Sequence, residues 1–128
     1  MIHKNLTSVP AQDVAMPGAD KVRMQLLLGP GDGCPNFAMR RFLIAPGGCT
    51  PRHQHDYEHE VLMLAGAGVV YGNGKEQPLR AGDVLYVPAN ELHQFRNTGT
   101  VPLEFICLVP AFVHRQGAPA PKAVDCAT

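Results

Sequence analysis

The 128-residue sequence carries no net charge, with eleven Lys plus Arg balanced by eleven Asp plus Glu. Lacking a basic excess, it has no overall attraction to phosphate backbones or anionic membrane surfaces, which argues against nucleic acid as a partner. Long apolar runs are also missing. The longest nearly apolar stretch, Val61 to Tyr71, is broken by Gly66 and Gly68 and falls short of the ~20 residues a membrane-crossing helix needs. The N-terminal segment MIHKNLTSVPAQDV lacks the apolar run of a secretory signal, so a cytoplasmic location is expected. Cys34, Cys49, Cys107 and Cys126 include no CxxC pair, and free thiols are expected rather than a disulfide framework. Nor does any stretch of roughly ten residues show an i, i+3, i+4 apolar stripe, which leaves no basis for a helix bundle.

Glycine and proline, by contrast, are plentiful at 13 and 12 residues. Both break helices, and without a G-X-Y period they do not make collagen. They punctuate short apolar runs: VRMQLLLG, NFAMRRFLI before APGG, EVLMLAGAGVVY before GNG, DVLYVP, and PLEFICLV before Pro110. These are strand lengths separated by turn residues. Gly72-Asn73-Gly74 predicts a hairpin between VVY and a following polar strand. The hydrophobic content of 45% is enough for a buried core. The pattern predicts an all-β, antiparallel sandwich or jelly-roll barrel over residues 21–115, with an N-terminal arm at 1–20 and a C-terminal tail at 116–128.

Three of the six histidines fall within seven residues, in PRHQHDYEHEV. On an extended segment alternate side chains share a face, so His53 and His55 can aim two imidazoles at one point. His59 follows an irregularity at Asp56-Tyr57 and can return to the same pocket as the next strand begins. His93, alone in VPANELHQFRN, can be brought to that interior by an antiparallel neighbour. Imidazole is the commonest protein metal ligand, and this clustering predicts a metal site. His3 and His114, isolated near the ends, are read as solvated loop histidines.

The residues resemble the cupin superfamily from about Met39 to Pro110. The first cupin pattern, G(X)5HXH(X)3,4E(X)6G, is matched by Gly47, His53, His55 and Gly66, with His59 in the slot usually held by Glu. The second, G(X)5PXG(X)2H(X)3N, is matched by Gly82, Pro88, His93 and Asn97, with Asn90 in place of Gly. Residues 67–81 form a short spacer of the kind found in small microbial members. Glu60 also satisfies the ligand spacing, but it leaves one residue too few before Gly66, and a one-residue offset turns a strand side chain to the opposite face. His59 is therefore preferred, with Glu58 and Glu60 as residues that could orient an imidazole.

This arrangement looks like a subgroup of single-domain cupins that bind manganese through four histidines. The resemblance implies a jelly-roll barrel with His53, His55, His59 and His93 as metal ligands, Mn2+ as the expected metal, Fe2+ next, and Zn, Ni or Cu also compatible. It places Arg40 at the metal mouth, and Phe105 and Cys107 along the cavity, as an apolar wall and an oxidisable thiol. Four neutral ligands leave a divalent charge uncompensated, and an octahedral ion would keep two positions open. The expected function is a dioxygenase-like oxidoreductase that cleaves a C–C or C=C bond of a small enolic, phenolic or alkenyl-aromatic substrate with O2 or peroxide. The alternatives are a non-redox isomerase, cyclase or lyase, for which Tyr57, Glu58, Glu60 or Asp83 would be the conceivable bases, and a non-catalytic small-ligand-binding protein. Small cupins also pair through an N-terminal strand, so a homodimer using VRMQLLL is expected.

Overall fold

Alternation in the sequence becomes alternation in space. In the strand His59–Ala65, His59, Val61 and Met63 are buried and the residues between them point outward; in Leu103–Pro110, Leu103, Phe105, Cys107 and Val109 are buried in the same way. The computed structural model describes residues 1–115 and 122–124, and most of the expected 116–128 tail lies outside them.

Among the described residues eleven strands run in the order β1 (Gln12–Asp13), β2 (Asp20–Leu28), β3 (Phe37–Cys49), β4 (Arg52–Gln54), β5 (His59–Ala65), β6 (Ala67–Gly72), β7 (Lys75–Arg80), β8 (Val84–Val87), β9 (His93–Arg96), β10 (Leu103–Pro110) and β11 (Lys122–Val124). All pairings are antiparallel. β2, β3, β10, β5 and β8 neighbour one another in that order, and β9 links β6 on one side to β4 and the end of β3 on the other. This curled antiparallel sheet is the jelly roll expected. The described helical elements are three 3-10 turns, Leu6–Ser8, Pro30–Asp32 and Ala111–His114, and none is long and apolar enough to cross a membrane. β2, which contains VRMQLLL, pairs with β3 of its own chain.

The register of β3 against β10 sets the cavity floor. Arg40 stands opposite Cys107 and Phe42 opposite Phe105, all on the inner face. The opposite parity sends Arg41 outward, where it donates to the Glu104 carboxylate at 2.6 Å and to the Gln25 side-chain amide oxygen at 2.7 Å. Phe105, 2% exposed, stacks on both Phe42 and Phe95 at centroid separations of 5.3 and 4.7 Å. It is thus core and cavity wall at once.

Turn chemistry matches the motif positions. Asn73 and Gly74 form the two-residue β6–β7 turn with φ of 51° and 74°, the left-handed pair that suits hairpin twist. Gly66, which splits the EVLMLAGAGVVY run into β5 and β6, has φ +85°, and a Cβ there would meet the Pro102 carbonyl at 2.5 Å. Asn90, where the pattern carries Gly, has φ 67°; Asn is among the few side chains that tolerate this region. Its N–H donates to the His55 carbonyl at 2.6 Å, tying the two motifs together. Asn97 is a buried bracket, donating to the Ile44 and Val101 carbonyls at 2.8 Å each and accepting from Gly99 N–H at 2.9 Å.

One expectation is corrected. Cys34 and Cys107 are free, but Cys49 is disulfide-bonded. Bridging depends on Cα atoms about 4.4–6.8 Å apart in space, which sequence spacing does not report.

Asn90→Gly should leave stability within about 0.5 kcal/mol, whereas Asn90→Val should cost about 1–2 kcal/mol because a β-branched side chain is strained at this φ. Asn97→Ala should cost about 1–3 kcal/mol by stranding the buried Ile44 carbonyl and removing the bonds to the part-buried Val101 carbonyl and Gly99 N–H. Urea unfolding of the three variants checks both statements.

Candidate metal centre

The barrel brings four histidines to one point. His53 and His93 face each other directly across the β4–β9 pair. His59 opens β5, and His55 sits between β4 and β5. One ligand nitrogen from each lies within 4.8 Å of all the others, and His55, His59 and His93 are buried. Glu60 is not in this group. It is exposed on the outer face of β5 and, with Glu58, lines a separate surface groove beside Phe37 and Pro110.

Main-chain carbonyls orient the rings. His55 Nδ1–H donates to the Tyr57 carbonyl and His93 Nδ1–H to the Glu91 carbonyl, both at 2.8 Å. Each bond leaves the Nε2 lone pair bare. The expectation that Glu58 or Glu60 would do this is thereby corrected: a backbone acceptor two residues away is closer than a carboxylate on the opposite face. The Tyr57 ring also stacks on His55 at 3.8 Å and 5°. The carbonyl contacts have no residue-type signature, since any residue supplies a carbonyl.

These lone pairs have little else to bind. His93 Nε2 and His53 Nδ1 are buried with no partner, and His55 Nε2 stands 2.8 Å from His59 Nε2. Two nitrogens bound at right angles to one ion at about 2.0–2.1 Å would stand about 3 Å apart, so the four imidazoles fit a divalent metal. The donor set, all neutral nitrogen, does not choose among Fe, Ni, Cu and Zn.

Beside the cluster a cavity of about 330 Å3 opens, with Arg40, Phe105, Cys107, Tyr57 and His114 among its lining residues. The resemblance-derived pocket residues Arg40, Phe105 and Cys107 are therefore together at the site. Arg40, 9% exposed, places Nη2 3.1 Å from Cys107 Sγ and 3.3 Å from His59 Nδ1, and its Nε is buried without a partner. No ion pair to it occurs among the described residues. His114, expected to be solvated, belongs to the wall instead, carried there by the 3-10 turn that follows β10. Asp83 lies elsewhere, accepting from Arg80 N–H at 3.0 Å.

Residues 40–109 match the cupin domain family. The chain belongs to the cupin family. It is 39% identical over 70 residues to an oxalate-binding protein of Thermotoga maritima, covering 54% of this chain and 58% of that one. This cupin thus spans a little over half the length of that curated relative. Its fold is similar to the polyketide cyclase RemF of Streptomyces resistomycificus, with TM-score 0.86 and 27% identity over 97% of this chain and 85% of that one. It is also similar to a predicted oxalate decarboxylase of T. maritima, with TM-score 0.77 and 29% identity over 86% and 99% of the two chains.

Electrostatics keep this cupin's cluster neutral. Burial, reinforced by neighbouring imidazoles and Arg40, pushes His53 down to about 3 and His55 down to about 4. His59 and His93 are lowered by burial first and by the Arg40 charge as well. Neutral imidazoles are ready ligands, so metal binding near pH 7 expels few protons from them. Among the described residues the cavity wall includes no Asp or Glu. A divalent ion here would sit beside a buried guanidinium with no internal counter-charge, a setting that favours an anionic ligand.

Two outcomes follow for the isolated protein. Unfolded histidines take protons near 6.5 while the folded ones stay neutral to about 4 or below, so the unfolded state binds more protons within that window. Stability of the metal-free protein should fall as pH drops from about 6.5 toward 4; a thermal midpoint that stays level across this range contradicts buried neutral imidazoles. In metal titrations, His59→Ala should weaken affinity by more than the roughly 10–100-fold that loss of an outer partner causes, with Glu60→Ala unchanged. The reverse order would move the ligand to Glu60.

Proposed function

We propose that this cupin is a metal-dependent oxygenase that binds a small enolic, phenolic or alkenyl-aromatic substrate as its anion and cleaves a C–C or C=C bond with O2 or peroxide. The observation that carries the reading is the convergence of four neutral imidazoles beside a cavity that holds one guanidinium without an ion-pair partner and, among the described residues, no carboxylate in its wall. His53, His55, His59 and His93 are the proposed ligands. Resemblance to four-histidine manganese cupins supports Mn2+, and the imidazole set suits Fe2+ as well. When bound, such a metal supplies a Lewis-acidic centre with open positions for substrate oxygen and, if redox-active, an electron path to the oxidant.

The chain's own residues do the positioning. Arg40 holds the anionic group through its guanidinium, which Cys107 and the Phe42 ring fix in place; the ring lies 4.9 Å from the guanidinium carbon. Phe105 presents an apolar face that excludes water from the substrate. Cys107 is held as the thiol by burial, against the opposing pull of Arg40, and is the oxidisable group beside the site. For alkene cleavage with O2, one oxygen atom goes to each carbon of the broken C=C bond, giving two carbonyl products without an external reductant.

A non-redox cyclase is the second reading, and the likeness to a polyketide cyclase over 97% of the chain favours it. It requires proton transfer, and the cavity contains Tyr57 and His114 but neither Glu58, Glu60 nor Asp83 among its lining residues. Burial raises Tyr57 and lowers His114, which makes the phenol slow to ionise and the imidazole a weak base.

The test is product formation from an alkenyl-phenol and enol panel by the Mn2+ and Fe2+ forms, with and without O2 or peroxide. Cleavage products that require the oxidant, and that disappear with His53→Ala, are expected. Oxidant-independent turnover, retained with Zn2+, would instead assign the cyclase reading.

A further inference from the structure

Away from the four histidines the cavity wall is mostly apolar, with Val14, Met16, Val22, Met24 and Val113 beside the phenylalanines. A few polar side chains interrupt it. The Thr50 hydroxyl is engaged, accepting from Phe95 N–H at 2.8 Å, and the Tyr57 ring is stacked on His55. His114 is different: its ring lines the cavity, and its Nε2 is buried with no hydrogen-bond partner.

His114 is also held in place without help from a ligand. Its turn, Ala111–His114, begins with Ala111 N–H donating to the Asn36 carbonyl at 3.0 Å. It ends with Arg115 N–H donating to the Phe112 carbonyl, and Arg115 Nη2 to the Pro35 carbonyl, both at 3.1 Å. Burial and the Arg40 charge push the imidazole down to about 4, so near neutral pH it is an uncharged ring able to donate at one nitrogen and accept at the other. A shielded, partnerless ring nitrogen costs free energy that an incoming hydrogen-bonding group would offset. The cavity volume, about 330 Å3, is at the low end for ligand pockets and suits a molecule of about one aromatic ring.

We propose that His114 is a ligand-positioning residue, which hydrogen-bonds a second polar group, a hydroxyl or carbonyl, of a small aromatic anion whose charged group sits at the histidine cluster and Arg40. The inference rests on the anion-binding part of the function proposed above. It assigns His114 specificity, with no contact to the reacting atoms.

Benzoate, 3-hydroxybenzoate and 4-hydroxybenzoate are the probes, titrated calorimetrically into the Mn2+-loaded full chain. The wild type should bind at least one hydroxybenzoate roughly tenfold more tightly than benzoate, the effect of about one well-made hydrogen bond. That preference should shrink to about twofold or less in His114→Phe and return in part in His114→Gln, whose amide restores a donor and acceptor. Benzoate affinity and metal content per chain should stay unchanged in both variants, which a merely structural role for His114 would not allow. No binding of any probe, no hydroxyl preference in the wild type, or a preference that survives His114→Phe would each overturn the proposal. The underlying reading fails separately: benzoate binding that persists after chelation, with the His114-dependent preference intact, removes the metal from anion recognition and leaves His114 in its role.

Discussion

Four imidazoles converge beside a small, mostly apolar cavity that also holds a guanidinium and, among the described residues, no carboxylate in its wall, and the chemistry open to this cupin depends on that imbalance. In water each of these groups would be satisfied by solvent. Buried together, the imidazoles stay unprotonated because a charge on any of them would lose hydration and face Arg40. Their lone pairs therefore remain available. The same lack of acid that makes them good ligands leaves any bound cation without an internal counter-ion, so the counter-charge has to arrive with the ligand.

The fold meets the cost of this arrangement with main-chain groups. Carbonyls of Tyr57 and Glu91 accept the outer N–H of His55 and His93, which fixes tautomer and ring direction without adding negative charge. The His55 carbonyl is held in turn by Asn90 N–H, and the Asn97 bracket ties the strands on either side. Left-handed residues at Gly66 and Asn90 let the chain change direction between these points. The aromatic stack of Phe42, Phe105 and Phe95 gives the cavity a rigid wall and the barrel much of its core, so substitutions there couple binding to stability.

Much of the site could be read in advance because strand geometry is periodic. The two-residue spacing of His53 and His55, the parity that separates His59 from Glu60, and the inward face shared by Phe105 and Cys107 all follow from a period of two. So does the choice between Arg40 and Arg41, once one inward residue on β3 is known. Turn residues marked the Asn73-Gly74 hairpin for a similar local reason.

What could not be read locally is what depends on distant chain segments meeting. His114 looks like an isolated residue near the end of the sequence, yet β10 carries it into the cavity wall. Glu58 and Glu60 look available to orient an imidazole, yet both flank His59 on the side of the outer groove while backbone carbonyls take the role. Cys49 forms a disulfide although its neighbours in sequence give no sign of one. Sequence alone determined the strand-rich fold and the four clustered histidines, because backbone periodicity and turn preference act over a few residues. Only the tertiary structure decided which groups are deprived of water and partners at the same point, because burial is a property of the closed barrel and not of any strand in it.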